Sequence, residues 1–205
     1  TEHYKNALDL APESAEIMSN LGAILATQGI GHEAVKLLKK AVEINDQCAG
    51  ACYNLGTLFL TGNVLEFAKK FLEQAYAIDS NSLPIINNLG IVYLNYADFA
   101  KAQEFFNKAL EISTNFDYAY HNLGTAFYDQ NKFSDAIHWF NKALEHNASN
   151  YASLNDLGCV LYLEGKTEEA IPLLRKSIKI NNEYRMPYYN LGFIAHNSDM
   201  LQKSC

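Results

Sequence analysis

The chain has 205 residues, is 49% hydrophobic and 19% charged, and carries a formal net charge of −7. An acidic balance of that size argues against a nucleic-acid partner, because phosphates demand a basic track. No stretch approaches the roughly 18 consecutive apolar residues of a membrane span, so direct membrane insertion is not expected.

In chain order, residues 1–14, with Tyr4, Ala7, Leu8 and Leu10 ahead of Ala11-Pro12, read as the second helix of a two-helix unit whose first helix is missing. From there a Leu-Gly pair recurs every 34 residues, at Leu21-Gly22, Leu55-Gly56, Leu89-Gly90, Leu123-Gly124, Leu157-Gly158 and Leu191-Gly192. A period of this length marks stacked helix pairs. It divides the chain into units 15–48, 49–82, 83–116, 117–150 and 151–184, followed by 185–205 as the first helix of a sixth, incomplete unit. Twelve helices are predicted in all.

Within unit 49–82, Cys52, Leu55, Gly56 and Phe59 fall at i, i+3, i+4 and i+7 and form one apolar helical stripe. The second helix adds Phe67, Phe71, Leu72, Ala75 and Ile78, a further apolar surface for the next unit. Gly inside a helix costs roughly 1 kcal/mol against Ala, so its recurrence implies a packing requirement in which two backbones approach closely. Twelve residues after each Gly stands an Ala (Ala34, Ala68, Ala102, Ala136, Ala170), and four later a bulky residue (Leu38, Leu72, Phe106, Phe140, Leu174). A single unit cannot bury both faces, so stability comes from stacking. Neither end of the chain shows an evident polar cap. It therefore reads as a fragment whose ends are covered by further repeats, another domain or self-association.

The order Leu-Gly, large apolar residue (Leu25, Phe59, Tyr93, Phe127, Leu161), Ala and bulky residue resembles the tetratricopeptide repeat along the whole chain. The resemblance implies an all-α fold, a right-handed α-solenoid of stacked antiparallel helix pairs whose first helices line a concave groove. Two departures stand out. The Pro that commonly closes the second helix is present only as Pro12, with Asp46, Ser80, Thr114, Ala148 and Asn182 expected to close the other turns instead. The Trp near the start of the first helix is replaced by Met18, Cys52, Ile86, Tyr120, Leu154 and Tyr188, all expected to point inward.

Every Lys lies in second helices, loops or terminal segments, and only Arg185 stands at a first-helix start. Lys and Glu on the second helices read as a solvated convex face. The groove is therefore expected to lack fixed positive charge. That removes the carboxylate clamp by which some members of the family hold anionic chain ends, since Ser19, Tyr53, Asn87, His121, Asn155 and Tyr189 occupy the position before each Leu-Gly-preceding amide. The groove offers a column of amides instead: Asn20, Asn54, Asn88, Asn122 and Asn190, interrupted by Asp156. This column resembles the asparagine ladder in the repeat domain of O-GlcNAc transferase, which implies capture of an extended polypeptide by its backbone. An amide donates and accepts at once and so serves any bound side chain; Asp156 accepts only. The same Asn positions can also be read as bonds internal to the helix stack. Flanking residues Tyr53, Thr57, Asn87, His121, Thr125, Tyr128, Asn155, Tyr162 and Tyr189 make the expected groove polar and aromatic.

No catalytic residue, metal or cofactor is assigned. Cys48 and Cys52 have no His, Asp or Glu at ligand spacing, Cys52 sits on the core stripe, and His121, His138 and His146 lack a nucleophile partner. Together with Cys159 and Cys205 the cysteines form no disulfide framework, which points to a reducing, cytoplasmic setting. The reading is a non-catalytic scaffold whose partners are protein or peptide segments. The alternatives are the substrate-recognition region of a larger enzyme such as an O-GlcNAc-type glycosyltransferase, and a self-assembling structural spacer.

Overall fold

The computed structural model describes residues 2–203, without the side chains of Lys5 and 198–203, so Cys205 lies outside the described residues. Among the described residues there are twelve helices: α1 Glu2–Leu10, α2 Ala15–Thr27, α3 Gly31–Ile44, α4 Ala49–Thr61, α5 Leu65–Ile78, α6 Leu83–Asn95, α7 Phe99–Ile112, α8 Asp117–Tyr128, α9 Phe133–His146, α10 Tyr151–Leu163, α11 Thr167–Ile180 and α12 Met186–Lys203. The chain forms two compact units, Thr1–Phe105 and Phe106–Cys205, with the division inside α7. In the first unit α2 pairs with α3 and α4 with α5; α4 stacks on both α2 and α3, and α6 on α5. In the second, α8 pairs with α9 and α10 with α11, while α10 rests on α9 and α12 on α11.

Each pair is fixed at its crossing by the glycine of the first helix. A methyl group added to Gly22, Gly56, Gly124 or Gly158 would stand 2.6, 2.7, 2.5 or 2.9 Å from Leu38, Leu72, Phe140 or Leu174 respectively. These are the bulky residues 16 positions on, and all four are at most 1% exposed. Around them Ala34, Ala41, Ala68, Ala75, Ala136, Ala143 and Ala170 are fully buried, so the second helix meets its neighbours through small residues on either side of one large knob.

The turn out of each first helix is built on one residue with positive φ, and these too are 34 apart: Gly29 (77°), Asn63 (56°), Ala97 (57°), Asn131 (58°) and Gly165 (78°). In the second of these turns the Val64 amide donates to Phe59 O at 2.8 Å and the Asn63 amide to Leu60 O at 3.0 Å, the paired bonds of a Schellman motif. The same bond runs from Ile30 to Leu25, Asp98 to Tyr93, Lys132 to Phe127 and Lys166 to Leu161. The large apolar residue of every unit therefore has a second role, as the carbonyl that closes its own helix. In the fourth turn Lys132 Nζ also sits 5.7 Å from the Phe127 ring centroid.

The turn out of the second helix closes one residue earlier than the sequence suggests. Asn45, Asp79, Asn147 and Asn181 leave the helix in extended backbone, and their side-chain oxygens accept the amide two residues on, at 3.0–3.2 Å. An Asx turn thus does the work assigned to Asp46, Ser80, Ala148 and Asn182.

The inward positions near first-helix starts are occupied as expected at Met18, Cys52, Ile86 and Leu154, all at most 1% exposed. Tyr120 is half-buried and Tyr188 is 48% exposed. Gly192 likewise meets nothing within 4 Å, unlike the four glycines above. The departures at Tyr188 and Gly192 have one cause: among the described residues no second helix lies against that face of α12.

Gly124→Ala should lower stability by up to about 2 kcal/mol in urea denaturation followed by circular dichroism, because overpacking against the Phe140 ring outweighs the roughly 1 kcal/mol gained in helix propensity. A neutral result would mean that the crossing can widen freely. Ala97→Gly should raise stability by about 0.5–1 kcal/mol, since it relieves a β-carbon held in the left-handed region, and a loss of stability would refute that account of the turn.

Candidate functional site

The amide column lies one residue before each Leu-Gly leucine, about 100° around the helix from it and off the core stripe. Its register is set by bonds between neighbouring first helices. In the first unit Asn54 Nδ2 donates to Ser19 Oγ at 3.1 Å and Ser19 O at 3.4 Å, and Asn88 Nδ2 to Thr57 Oγ1 at 2.9 Å. In the second, Asn190 Nδ2 donates to Asn155 Oδ1 at 2.8 Å and Cys159 Sγ at 2.9 Å, while Asn155 Nδ2 donates to Asp156 Oδ1 at 2.8 Å. The acceptors obey a rule. Ser19 and Asn155 stand just before the column residue of the preceding first helix, and Thr57 and Cys159 stand three residues after it. The carboxamide nitrogens of Asn54, Asn88 and Asn190 thereby donate into the stack.

Asn20 is exposed on α2; Tyr53, Thr57, Asn87, Asn122 and Thr125 are half-buried. Asn155 is 2% exposed and Tyr189 67%. Thr125 Oγ1 bonds back to His121 O at 3.2 Å. His121 does have a serine neighbour: Nδ1 lies 3.0 Å from Ser153 Oγ, and Nε2 lies 3.8 Å from Asp156 Oδ2. Ser153 is fully buried and cannot meet a substrate, and 3.8 Å is too long for the hydrogen bond that would orient a general base. Burial holds the His121 imidazole below its ordinary pKa against the pull of Asp156 and Asp117. Burial also raises the Asp156 carboxyl, opposed by His121 and the Asn155 hydrogen bond and assisted by Asp129.

Asn155 and Asp156 border a cleft of 290 Å³ in the second unit. It brings together Thr125 of α8, Asn155 and Asp156 of α10, and Asn190 of α12. Sequence reasoning assigned no groove role to Asp129, Cys159 and Met186, which also line it. The signal for Cys159 was available, because it occupies the same place after Asp156 as Thr57 does after Asn54. Asp129 and Met186 come from helix ends, where no periodicity guides the reading. The Cys159 thiol is pushed up to about 12, mainly by burial, and the Cys52 thiol to about 11 for the same reason. Both stay protonated, which does not suit nucleophilic chemistry. Among the described residues no three His, Cys, Asp or Glu side chains converge as a metal site, and no helix is long and apolar enough to cross a membrane.

Helix pairs of 34 residues, locked by glycine and stacked one on the next, define a helical-repeat protein. Three family models, each of the tetratricopeptide repeat, match residues 14–45, 83–149 and 121–184, which together exceed half of the chain. The chain belongs to the tetratricopeptide repeat family, whose fold is that of a protein–protein interaction scaffold. No curated protein matches its sequence. Solved structures of similar fold include PilF of Pseudomonas aeruginosa, 20% identical, covering 94% of this chain and 92% of that one with a TM-score of 0.72. TTC0263, a thermophilic repeat protein of Thermus thermophilus, is 15% identical over 86% of this chain and 96% of its own, with a TM-score of 0.75. YrrB, a repeat protein described as having an unusual peptide-binding site, is 19% identical over 92% and 97% with a TM-score of 0.64.

Below its ordinary value of 6.5, the unfolded chain protonates His121 before the folded chain does. The stability conferred by the neutral ring is therefore complete above that pH and is lost as the pH falls toward the lower folded value. Asp156 acts in the opposite sense, its contribution present below 3.8 and lost as the pH rises through its raised folded value. Unfolding free energies from urea titrations should accordingly fall just below pH 6.5, by at most about 1.4 kcal/mol per pH unit for one proton, and His121→Gln should flatten that slope. If the variant kept the slope, the proton would be taken up elsewhere.

Proposed function

We propose that this chain is a non-catalytic scaffold that holds an extended peptide segment of a partner protein across its first helices. The observation that carries this reading is the 290 Å³ cleft, to which three successive first helices contribute and which gathers Thr125, Asn155, Asp156 and Asn190. A segment laid across those helices would meet each of them in turn.

The hydrogen bonding refines what the amide column would do. Because Asn54, Asn88 and Asn190 donate into the stack, each is held in one orientation with its carboxamide oxygen as the acceptor left for a ligand. Fixed acceptors suit the backbone N–H groups of an extended chain, and their fixity lowers the ordering cost of binding. Half-buried Tyr53 and Tyr128 would supply contact area at small entropic cost. With no Lys or Arg on α2, α4, α6, α8 or α10, anionic chain ends and nucleic acid are poor ligands. The peptide-binding site described for YrrB agrees with this class of ligand.

Selection of a phage-displayed random peptide library on the immobilised chain should enrich binders. Their affinity should fall roughly tenfold or more on Tyr128→Ala, and change little on Lys142→Ala or Lys176→Ala in second helices. Failure to enrich any peptide, or binders indifferent to Tyr128 and sensitive to the lysines, would move the interaction away from the first helices.

A further inference from the structure

The cleft between α8, α10 and α12 is narrow for a whole ligand. Pockets that enclose drug-sized molecules run from about 300 to 1,000 Å³. At 290 Å³ this one suits a single long side chain. Tyr128 and Met186 give it apolar and aromatic walls, and Cys159 adds a thiol that already accepts from Asn190. Its charged lining consists of Asp129, from the turn that ends α8, and Asp156 on α10. No Lys or Arg lines it among the described residues.

Two carboxylates line this cleft: Asp156 is half-buried and gains from a positively charged partner, whereas Asp129 is exposed to solvent. Asp156 receives one donor, Asn155 Nδ2 at 2.8 Å. The nearest basic group is the His121 imidazole at 3.8 Å, too far for a hydrogen bond, and its burial favours the neutral ring. Asp129, although exposed, has its carboxyl raised by partial desolvation. The cleft is thus shaped for a stem and charged for a cation at its end.

Resting on the peptide-binding reading above, we propose that this cleft is a specificity pocket for a Lys or Arg side chain of the bound peptide, with Asp129 and Asp156 as its charge partners. The aliphatic stem would pass along Met186 and Tyr128, whose ring face also favours a cation. The ammonium or guanidinium would complete the hydrogen bonding of the two carboxylates.

The test uses four synthetic peptides, Ac-Ser-Ala-Ser-Xaa-Ser-Ala-Ser-NH2 with Xaa as Lys, Arg, norleucine or Glu, titrated into the full chain at low ionic strength and followed by amide chemical shifts. The Lys or Arg peptide should bind roughly tenfold tighter than the norleucine peptide, with the largest shifts at Cys159 and Asn190, and Glu should bind weakest. The advantage should shrink with added salt and vanish in Asp129→Asn/Asp156→Asn, whose near-isosteric amides remove the negative charge. Equal affinity for Lys and norleucine, or a Lys preference that survives the double variant, would overturn the pocket while leaving peptide binding in place. Peptides that shift no first-helix amide at all would overturn both. The comparison of Lys with norleucine on the unmodified chain decides the matter even if the double variant fails to fold.

Discussion

Everything in this chain depends on how closely two helices cross at a glycine. With a β-carbon at Gly22, Gly56, Gly124 or Gly158, the second helix would have to stand off, and its knob, Leu or Phe, would lose its socket. The alanines beside that knob would then no longer touch the neighbouring helices, and stacking in each compact unit would loosen with them. The local cost of glycine in a helix is thus offset by contacts that exist only once the pair has closed. This is tertiary packing overriding propensity, repeated at a fixed interval.

That crossing sets the distance between consecutive first helices, and the distance decides what the amide column can do. Asn54 reaches Ser19, Asn88 reaches Thr57 and Asn190 reaches Asn155 because the helices are near enough for one side chain to span the gap. Stacking and the proposed recognition are therefore compatible uses of these amides. The same bond that ties two helices together orients the oxygen beside it. His121, which occupies the place of Ser19 and Asn155, makes a comparable link forward to Ser153, so the column is varied in chemistry while its linking role persists.

The helix pairs were legible because they rest on periodicity. Leu-Gly, Ala and the bulky residue recur at one spacing, and Gly22, Gly56, Gly124 and Gly158 each meet the bulky residue 16 positions on. Closure of the second helices was misread by one residue, since an Asx turn depends on a single side-chain bond that spacing does not locate; Asn45 and Asp46 are equally plausible from sequence. Tyr188 and Gly192 were misjudged for a different reason, as a pattern copied along the chain says nothing about whether its partner helix is in place. At the cleft, the α-helical positions Thr125, Asn155, Asp156 and Asn190 could be picked out by register. Asp129 and Met186 could not, because they enter from helix ends.

The origin of Asp129 carries a wider meaning. It sits two residues before the left-handed residue that ends its turn, and the same place in the other turns holds Thr27, Thr61, Asn95 and Leu163. Within one chain that site accepts a hydroxyl, an amide, a carboxylate and an alkyl group, whereas the crossing glycine never changes. The architecture therefore separates a part that tolerates drift from a part that does not. A lineage of such repeats can acquire new tastes in ligand by altering helix-end residues one unit at a time, with the scaffold passing each change on unaltered.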